Sequence, residues 1–226
     1  MPAPHHDGLL PAVDTPLAGG AAQTRLAYDT VAPDYAAQLP DASFEAPLDL
    51  AMIGEFVRRL PATAHVLDAG CGTGRMLRHL AAIAPSLRLE GVDLSPGMVA
   101  QALAASPGAP IIVGDLASLP HGNAAVDGVL AWYSLIHTAV LAPVLTELHR
   151  VLRPGGLLLT GFQSGSGQRR VERAYGHDVE ARLFLRRPQE VADVARAAGF
   201  EVLVSLERAP RDVERDPQGM LLLRRG

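Results

Sequence analysis

The hydrophobic positions of this chain change their spacing near residue 64. Before that point, apolar side chains recur at three- and four-residue steps over 24–39 and again from about 47 to 60, a pattern typical of amphipathic helices. Pro33 lies inside the first pattern and predicts a break or a new helix start there. From residue 64 onward, short apolar runs alternate with helical patterns, which predicts an α/β domain.

The alternation predicts seven strands and four helices after residue 64. The strands are expected near 65–69, 88–93, 110–113, 126–132, 156–162, 201–207 and 219–224. The helices are expected near 74–84, 96–105, 141–152 and 188–198. The segment 163–187 interrupts the alternation and is long for a simple connection, so we interpret it as a lid or an added hairpin.

The chain length of 226 residues and a hydrophobic content of 48% suit a single domain with a sizeable core. Residues 1–22 are rich in proline, glycine and alanine, and we predict that they form a flexible tail. The single domain then covers 23–226, with cap helices in 24–60. No motif indicates an oligomeric state.

Charge and composition exclude several classes of function. The net charge of -4 and the pI of about 6.0 argue against a surface that follows nucleic-acid phosphates. All 20 cationic side chains are arginine, so chemistry that needs a lysine amine is excluded. The single cysteine, Cys71, suits a reducing compartment. We find no signal peptide, membrane span or metal-ligand spacing, and we expect a cytoplasmic protein without a resident metal.

The most informative stretch is Val66-Leu67-Asp68-Ala69-Gly70-Cys71-Gly72-Thr73-Gly74. It follows the pattern of a buried strand that turns through a glycine loop into a helix. The glycines let the backbone turn tightly and approach a ligand, and the amides at the helix start suit an anionic group. Their spacing is Gly-x-Gly-x-Gly, which does not meet the dinucleotide fingerprint and disfavours a nicotinamide enzyme.

Asp93 ends the second predicted strand, twenty-three residues after Gly70. A carboxylate at this position can accept both hydroxyl hydrogens of a ribose. The alternative is a cap on the next helix, for which Ser95 is the better residue. We therefore predict a site for an adenosine-containing cofactor.

Four motifs carry a family resemblance. Asp68 to Gly74, Gly91-Val92-Asp93-Leu94-Ser95-Pro96-Gly97-Met98, Gly114-Asp115-Leu116 with Leu119-Pro120, and Leu148 to Gly156 occur in this order. Together they resemble the class I S-adenosylmethionine-dependent methyltransferases, and the match covers 66–162. The resemblance implies a Rossmann-like α/β fold with a seven-stranded, mostly parallel sheet whose last strand is antiparallel. The flanking segments resemble the family only in general layout.

The resemblance also implies cofactor contacts. S-adenosyl-L-methionine would be the cofactor and S-adenosyl-L-homocysteine the product, with the methionine end over the glycine loop. Asp93 would hold the ribose, and Asp115 with Leu116 the adenine; a turn cap is the alternative for Asp115. The expected cofactor-binding residues are Tyr28, Asp68, Gly70, Cys71, Gly72, Thr73, Gly74, Asp93, Leu94, Met98, Asp115, Leu116 and Ala131. Asp68 is expected to order the loop through its amides and to reach the cofactor ammonium through water. Met98 would pack on the adenine or in the core.

The chemistry is expected at the end of the fourth strand, where ligands of open α/β sheets lie. His137 is the candidate general base, with a hydrogen bond to backbone or cofactor as the alternative role, and Tyr133 is the second catalytic candidate. Trp132 could flank the sulfonium or an aromatic acceptor. Because adjacent strand residues face opposite ways, one of Trp132 and Tyr133 is expected in the core.

The segment 163–187 supplies further substrate candidates. Tyr175 and His177 would position an acceptor if this segment covers the cleft, and would otherwise be surface residues. Arg169, Arg170 and Arg173 could bind a substrate carboxylate or form a solvated charged face.

We predict methyl transfer from S-adenosylmethionine to an oxygen or nitrogen atom of a small molecule, without nucleic-acid or membrane partners. Two alternatives remain open at this point. A protein of the same fold could catalyse a non-methyl reaction such as a cyclisation, or it could act as a cofactor-binding sensor.

Overall fold

The structure is a computed structural model that describes residues 20–105 and 108–226. Its N-terminal part consists of two helices that precede the sheet. They are α1 (Gly20–Gln38) and α2 (Pro47–Arg59), separated by a short 3-10 turn over Ala42–Phe44. The first nineteen residues of the predicted tail lie outside the described range. Its last three, residues 20–22, are the first turn of α1.

Strands and helices alternate after α2 as the hydrophobic pattern predicts. The strands are β1 (His65–Ala69), β2 (Arg88–Asp93), β3 (Ile111–Val113), β4 (Val126–Trp132), β5 (Leu152–Gln163), β6 (Gln168–Ala174), β7 (His177–Phe184), β8 (Phe200–Arg208) and β9 (Gln218–Arg225). The helices are α3 (Arg75–Ile83), α4 (Pro96–Ala105), α5 (Leu141–Val151) and α6 (Pro188–Ala197), and a second 3-10 turn covers Leu135–His137. β5 begins at Leu152, earlier than predicted, because Leu152 already pairs with Val126.

Seven strands form one sheet in the order β3-β2-β1-β4-β5-β9-β8. The first five strands in this order pair in parallel, and β9 pairs antiparallel with both β5 and β8. The predicted mostly parallel sheet with an antiparallel last strand is therefore confirmed. Strands β2 and β3 are added on one side of β1, and β4 and β5 on its other side. This switch in strand order places a crevice at the carboxyl ends of β1 and β4, beside the end of β2.

Side chains of alternate residues divide the core between the two faces of the sheet. Val129 and Ala131 of β4 belong to the core under α5 and α6. Leu130 and Trp132 of the same strand belong to the core on the α2 face, with Phe56 of α2. This alternation fixes which residues of β4 can reach the crevice on each side of the sheet.

The segment between β5 and α6 contains the antiparallel hairpin β6–β7. The turn at its tip contains Tyr175 and Gly176, both with positive φ, at 50° and 87°. The hairpin contacts α1, and strand β7 also contacts the 3-10 turn at Leu135–His137. It therefore forms a wall beside the crevice.

Helix α1 runs through Pro33 without ending, so the predicted break there is wrong. A proline lacks the N–H that would bond to the carbonyl four residues earlier, which is that of Asp29. The backbone of Asp29 packs against Gly97 at the start of α4, where an added Cβ would lie 3.2 Å from the Asp29 carbonyl oxygen. Packing against α4 thus supports the helix where its own hydrogen bonding is interrupted.

Among the described residues, no helix has both the length and the apolar character needed to cross a membrane.

Candidate cofactor and acceptor site

The glycine loop joins β1 to α3 through three residues of positive φ. Gly70, Gly72 and Gly74 have φ values of 83°, 53° and 74°, which side chains with a Cβ rarely adopt. A Cβ on Gly70 would lie 2.3 Å from the Cβ of Ser134, so the loop fits closely against the segment after β4. A Cβ on Gly72 would meet no atom within 4 Å, which leaves that part of the loop facing open space.

Asp93 at the end of β2 connects this loop with helix α4. The Gly72 amide donates to its Oδ2 at 2.8 Å, and the Ser95 amide donates to its Oδ1 at 2.9 Å. Burial raises the pKa of the Asp93 carboxyl, and these two amide bonds oppose the rise. The carboxylate therefore orients the loop and has further lone pairs to offer a ligand.

Asp68 does not order the loop, contrary to expectation. The Gly70 and Cys71 amides donate instead to the Val92 carbonyl, at 2.7 and 3.0 Å. The side chain of Asp68 is only 1% exposed, and its Oδ2 has no hydrogen-bond partner. Burial raises the pKa of this carboxyl to about 7, with Arg75 opposing the rise and Asp93 adding to it.

Asp68 lines a small cleft between the glycine loop and Trp132. The lining residues are Tyr35, Asp68, Gly70, Cys71, Gly72, Thr73, Arg75, Met76 and Trp132. Arg75 is buried and forms an ion pair with Glu45. The cleft thus combines an unpartnered carboxylate, a neutralised guanidinium and two aromatic rings.

His137 lies in the 3-10 turn after β4 and is held from both sides. Its Nδ1 lies 3.2 Å from the Arg182 carbonyl oxygen in β7, and its Nε2 lies 2.8 Å from the Tyr28 hydroxyl of α1. A carbonyl only accepts, so Nδ1 carries the proton, and Nε2 accepts from Tyr28. Burial lowers the pKa of His137 to about 4, which keeps the imidazole neutral near pH 7.

The rings of Trp132 and Tyr133 pack edge to face, with 5.4 Å between their centroids. Trp132 is 5% exposed, lines the cleft, and its Nε1 has no hydrogen-bond partner. Tyr133 adopts a positive φ of 56°. Burial contributes most to raising the pKa of Tyr133 well above its usual range, and the negative charges of Asp49 and Glu45 raise it further. Its hydroxyl therefore lies near these two carboxylates. No hydrogen bond joins it to His137 in the part of the chain that the structure describes.

Tyr175 and His177 at the hairpin tip contact α1. The ring of Tyr175 packs on Tyr35 with 5.0 Å between centroids. His177 Nε2 donates to the Asp34 carboxylate at 2.7 Å, and both side chains are exposed. These contacts fasten the hairpin to α1, and His177 lies on the outer side of that contact.

The three arginines of strand β6 are paired with carboxylates of the chain. Arg169 pairs with Asp216, Arg170 with Glu180 at 3.4 Å, and Arg173 with Asp178 at 3.5 Å. This arrangement matches the charged-face alternative for Arg170 and Arg173, which are largely exposed.

Four further predicted cofactor residues are Asp115, Leu116, Leu94 and Met98. Asp115 caps its own turn by accepting from the Ala117 amide at 2.9 Å, and Leu116 beside it packs on the core. Leu94 is half-buried next to Asp93. Met98 packs with Val31 and Ala32 of α1, which is the core alternative.

Three further predicted cofactor residues have buried side chains. Ala131 is a correction, because its side chain is fully buried in the core under α5 and α6. Cys71 packs beneath the loop with Leu77, and burial raises the pKa of its thiol. Thr73 is buried, and its Oγ1 has no partner.

Sequence reasoning missed three residues of the site. Arg75 follows the glycine loop directly, so its position was a usable signal. Asp29 accepts from the Ser95 hydroxyl at 2.6 Å and from the Gly97 amide at 2.9 Å. Gln163 ends β5 and has a buried, unpartnered Oε1. Neither Asp29 nor Gln163 lies in a recognisable local pattern.

These residues fit an adenosine-type cofactor. Gly72 leaves room where a ligand would approach the loop, and Asp68 and Thr73 present buried oxygens without partners. A glycine loop after β1 and a carboxylate after β2 at the crevice of a parallel sheet define a Rossmann-like nucleotide-binding protein.

Comparison with known proteins makes this class more specific. Residues 67–160 match the family profile described as "Methyltransferase domain". A malonyl-[acyl-carrier protein] O-methyltransferase of Herminiimonas arsenicoxydans is 38% identical over 155 residues, covering 67% of this chain and 57% of the relative. This chain spans about half the length of the curated relatives it matches.

Two solved structures share the fold over most of the chain. A 1,6-didemethyltoxoflavin-N1-methyltransferase of Burkholderia thailandensis, with bound S-adenosylhomocysteine, is 25% identical with a TM-score of 0.71 and covers 94% of this chain and 93% of its own. The [4+2]-cyclase SpnF is 21% identical with a TM-score of 0.70 and covers 93% and 97%. This chain belongs to the class I S-adenosylmethionine-dependent methyltransferases, and the predicted family, fold and cofactor are confirmed.

Proposed function

We propose that the chain transfers the methyl group of S-adenosylmethionine to an oxygen or nitrogen atom of a small-molecule acceptor, with His137 as the general base. The observation that carries this proposal is the orientation of His137. Its Nδ1–H is bound by the Arg182 carbonyl, so the lone pair of Nε2 points at a hydroxyl 2.8 Å away. An acceptor that displaced the Tyr28 hydroxyl would present its own proton to Nε2.

The low pKa of His137 limits the acceptors that it can serve. Because burial lowers this pKa to about 4, the imidazole is a weak base. General-base catalysis is then most effective for acceptors with a relatively acidic proton, such as phenols, enols or imide-type N–H groups, rather than aliphatic alcohols.

S-adenosylmethionine would supply an electrophilic methyl group on its sulfonium, and the chain would mainly align the acceptor with it. The amides of the glycine loop would hold the methionine end, Asp93 the ribose hydroxyls, and Asp115 with the Leu116 amide the adenine. Tyr28 and Leu94 would close the cofactor side of the crevice. The rings of Trp132 and Tyr175 would border the acceptor, while His177 would act only by holding the hairpin on α1.

The compared proteins methylate different kinds of atom, since a relative from Oryza sativa, 32% identical over 157 residues, is named a 24-methylenesterol C-methyltransferase. The Herminiimonas relative is named an O-methyltransferase, and the Burkholderia structure is an N1-methyltransferase. The choice of oxygen or nitrogen therefore rests on His137 as a base. The [4+2]-cyclase shares the fold, so a non-methyl reaction is the competing function that an experiment has to separate.

The first experiment is calorimetry with S-adenosylmethionine, S-adenosylhomocysteine and NAD on the wild type and on Asp93→Ala. We expect micromolar binding of the two sulfur compounds, no binding of NAD, and about 100-fold weaker binding to Asp93→Ala, because two charge-assisted hydrogen bonds to a ribose are removed. A folded wild type that binds neither sulfur compound would contradict the proposal. A subsequent acceptor screen by mass spectrometry requires product that is heavier by one methyl group, whereas a product of unchanged composition would favour the cyclisation alternative.

The role of His137 is tested with His137→Gln once an acceptor is found. Glutamine retains a polar side chain but accepts no proton, so we expect kcat to fall by about 100-fold with cofactor affinity unchanged. Tyr28→Phe serves as the comparison, because it removes the hydroxyl that occupies Nε2 but leaves the base. An unchanged kcat in His137→Gln would show that His137 is not the general base and has a structural role.

A further inference from the structure

Three buried polar atoms without partners lie on the same face of the sheet. They are Asp68 Oδ2 in β1, Trp132 Nε1 in β4 and Gln163 Oε1 in β5. Asp68 pairs with Leu130, so Trp132 lies two residues further along β4. Trp132 pairs with Gly161, so Gln163 lies two residues further along β5. Residues two apart in a strand share a face, and the three side chains therefore form a diagonal row towards the carboxyl edge.

Such a row is unusual in a folded protein, because buried polar groups are normally hydrogen-bonded. Asp68 lies beside the glycine loop, where the cofactor would bind. The cofactor therefore accounts for the unpartnered oxygen of Asp68. Trp132 and Gln163 lie progressively further from that loop across the strands. Their unpartnered atoms indicate a ligand group beyond the cofactor, at the position expected for the acceptor.

The two groups define what such a ligand must present. The indole N–H of Trp132 only donates, so it requires a hydrogen-bond acceptor on the ligand. The carboxamide of Gln163 pairs well with a group that carries a donor beside an acceptor. A lactam, an amide or a similar heterocycle edge satisfies both residues.

Charge disfavours an anionic acceptor. Among the described residues that line the cleft, Arg75 is the one cation, and Glu45 neutralises it. Arg186, whose amide donates to the Gln163 carbonyl, directs its guanidinium to the backbone carbonyls of Thr138 and Ala139. A carboxylate in this row would lie near the unpaired acid Asp68 without a free cation.

We propose that Trp132 and Gln163 bind a neutral acceptor through an edge that carries both a hydrogen-bond donor and a hydrogen-bond acceptor. The aromatic surfaces of Trp132 and Tyr35 suit a planar group of this kind. This inference rests on the proposed function, because it names the acceptor class of the same site. It also agrees with the weak base His137, since a lactam N–H or its enol form is more acidic than an alcohol.

The chain contains one tryptophan, so its indole N–H gives a single signal in an ¹⁵N-labelled sample. The probes are 2-quinolone, a neutral planar lactam, and 2-naphthoate, an anion of similar shape, each titrated with excess S-adenosylhomocysteine present. We expect 2-quinolone to move the Trp132 indole proton downfield and 2-naphthoate to bind more weakly. Gln163→Leu should weaken 2-quinolone binding by about tenfold, and Gln189→Leu on the exposed surface of α6 should not change it.

Three outcomes would overturn the inference: no movement of the indole signal with 2-quinolone, tighter binding of 2-naphthoate, or unchanged affinity in Gln163→Leu. If Gln163→Leu does not fold, Gln163→Glu keeps the side-chain size and should weaken the lactam in the same direction. S-adenosylhomocysteine binding is measured separately by calorimetry. Its absence would contradict the proposed function, while the titration repeated without it would still decide the role of Trp132 and Gln163.

Discussion

Asp68 shows how a single residue of the site can reduce stability while serving binding. Its carboxyl is buried without a hydrogen-bond partner at Oδ2, and its pKa is raised to about 7, first by burial and then by Asp93. The folded protein therefore binds the Asp68 proton more tightly than the unfolded chain does, whose carboxyl has a pKa near the ordinary 3.8. Between these two values the free energy of unfolding falls as the pH rises.

We expect Asp68→Asn to raise the melting temperature of the ligand-free protein at pH 8 and to change it little at pH 4.5. Below the ordinary pKa of 3.8 both side chains are neutral, and the penalty on the wild type grows as the pH rises from 3.8 to about 7, so it is small at pH 4.5 and complete at pH 8. The gain at pH 8 is on the order of 1–3 kcal/mol after allowance for relaxation around a buried charge. The same variant should bind S-adenosylmethionine more weakly.

The measurement is thermal unfolding across this pH range, with Asp178→Asn as the control because Asp178 is exposed on the hairpin. A stability difference that was the same at both pH values would show that the Asp68 carboxyl does not titrate with the raised pKa.

At the scale of elements, polar contacts join helix α1 to α4, to the turn after β4 and to the hairpin. Asp29 binds the start of α4, Tyr28 binds His137 in the turn after β4, and Asp34 binds His177 of the hairpin. The first contact lies nearest to the cofactor site, because the Ser95 amide also donates a hydrogen bond to Asp93. The position of α1 and the shape of the ribose site are therefore linked through Ser95.

We expect Asp29→Ala to lower stability by about 1 kcal/mol, or roughly 2–4 °C in melting temperature, because it removes the acceptor for the Ser95 hydroxyl and the Gly97 amide. Cofactor affinity should fall by about fivefold as the start of α4 loosens beside Asp93. Thermal unfolding and calorimetry measure the two effects.

The matched control is Asp193→Ala on α6, where Asp193 forms only exposed contacts with Gln189 and Arg196. Equal melting temperatures for Asp29→Ala and the wild type would show that the Asp29 contacts do not hold α1 on the domain.

The elements that the sequence predicted well are those with a local cause. The period change at residue 64 and the glycine loop follow from neighbouring residues, and the strands and helices appeared within a few residues of their expected bounds. Pro33 misled the prediction because its effect depends on the packing of Asp29 against Gly97, which are 68 residues apart. A local sequence pattern cannot predict a contact between residues so far apart in the chain.

The same distinction applies to the site. Gly70, Asp93 and His137 could be selected from motif and strand-end positions. Asp29 and Gln163 could not, because one acts through a helix distant in sequence and the other through strand register. The tautomer of His137 was also unpredictable, since it depends on the Arg182 carbonyl of the hairpin.

At the scale of the whole molecule, a buried ion network connects the N-terminal part with the last two strands. Arg208 at the end of β8 donates to both carboxylate oxygens of Asp49 in α2, each at 2.6 Å, and also binds Glu214. Burial alone would raise the pKa of Glu214, but hydrogen bonds from Arg208 and Arg211 lower it to about 2. Asp49 is fully buried, and the network joins segments 159 residues apart in the chain.

Removing one member of such a network is more damaging than removing a surface pair, because a charge is left in the interior without its partner. We expect Asp49→Ala to lower the free energy of unfolding by about 3–5 kcal/mol in urea denaturation, whereas Asp178→Ala, which breaks the exposed pair with Arg173, should cost less than about 1 kcal/mol. The double variant Asp49→Leu/Arg208→Leu should lose less than the sum of its single variants, because it leaves no unpaired Arg208, and Glu214 retains Arg211. Additive losses would instead mean that Asp49 and Arg208 contribute independently, and the attachment of α2 to the sheet would then rest on the apolar packing of Ile53 and Phe56.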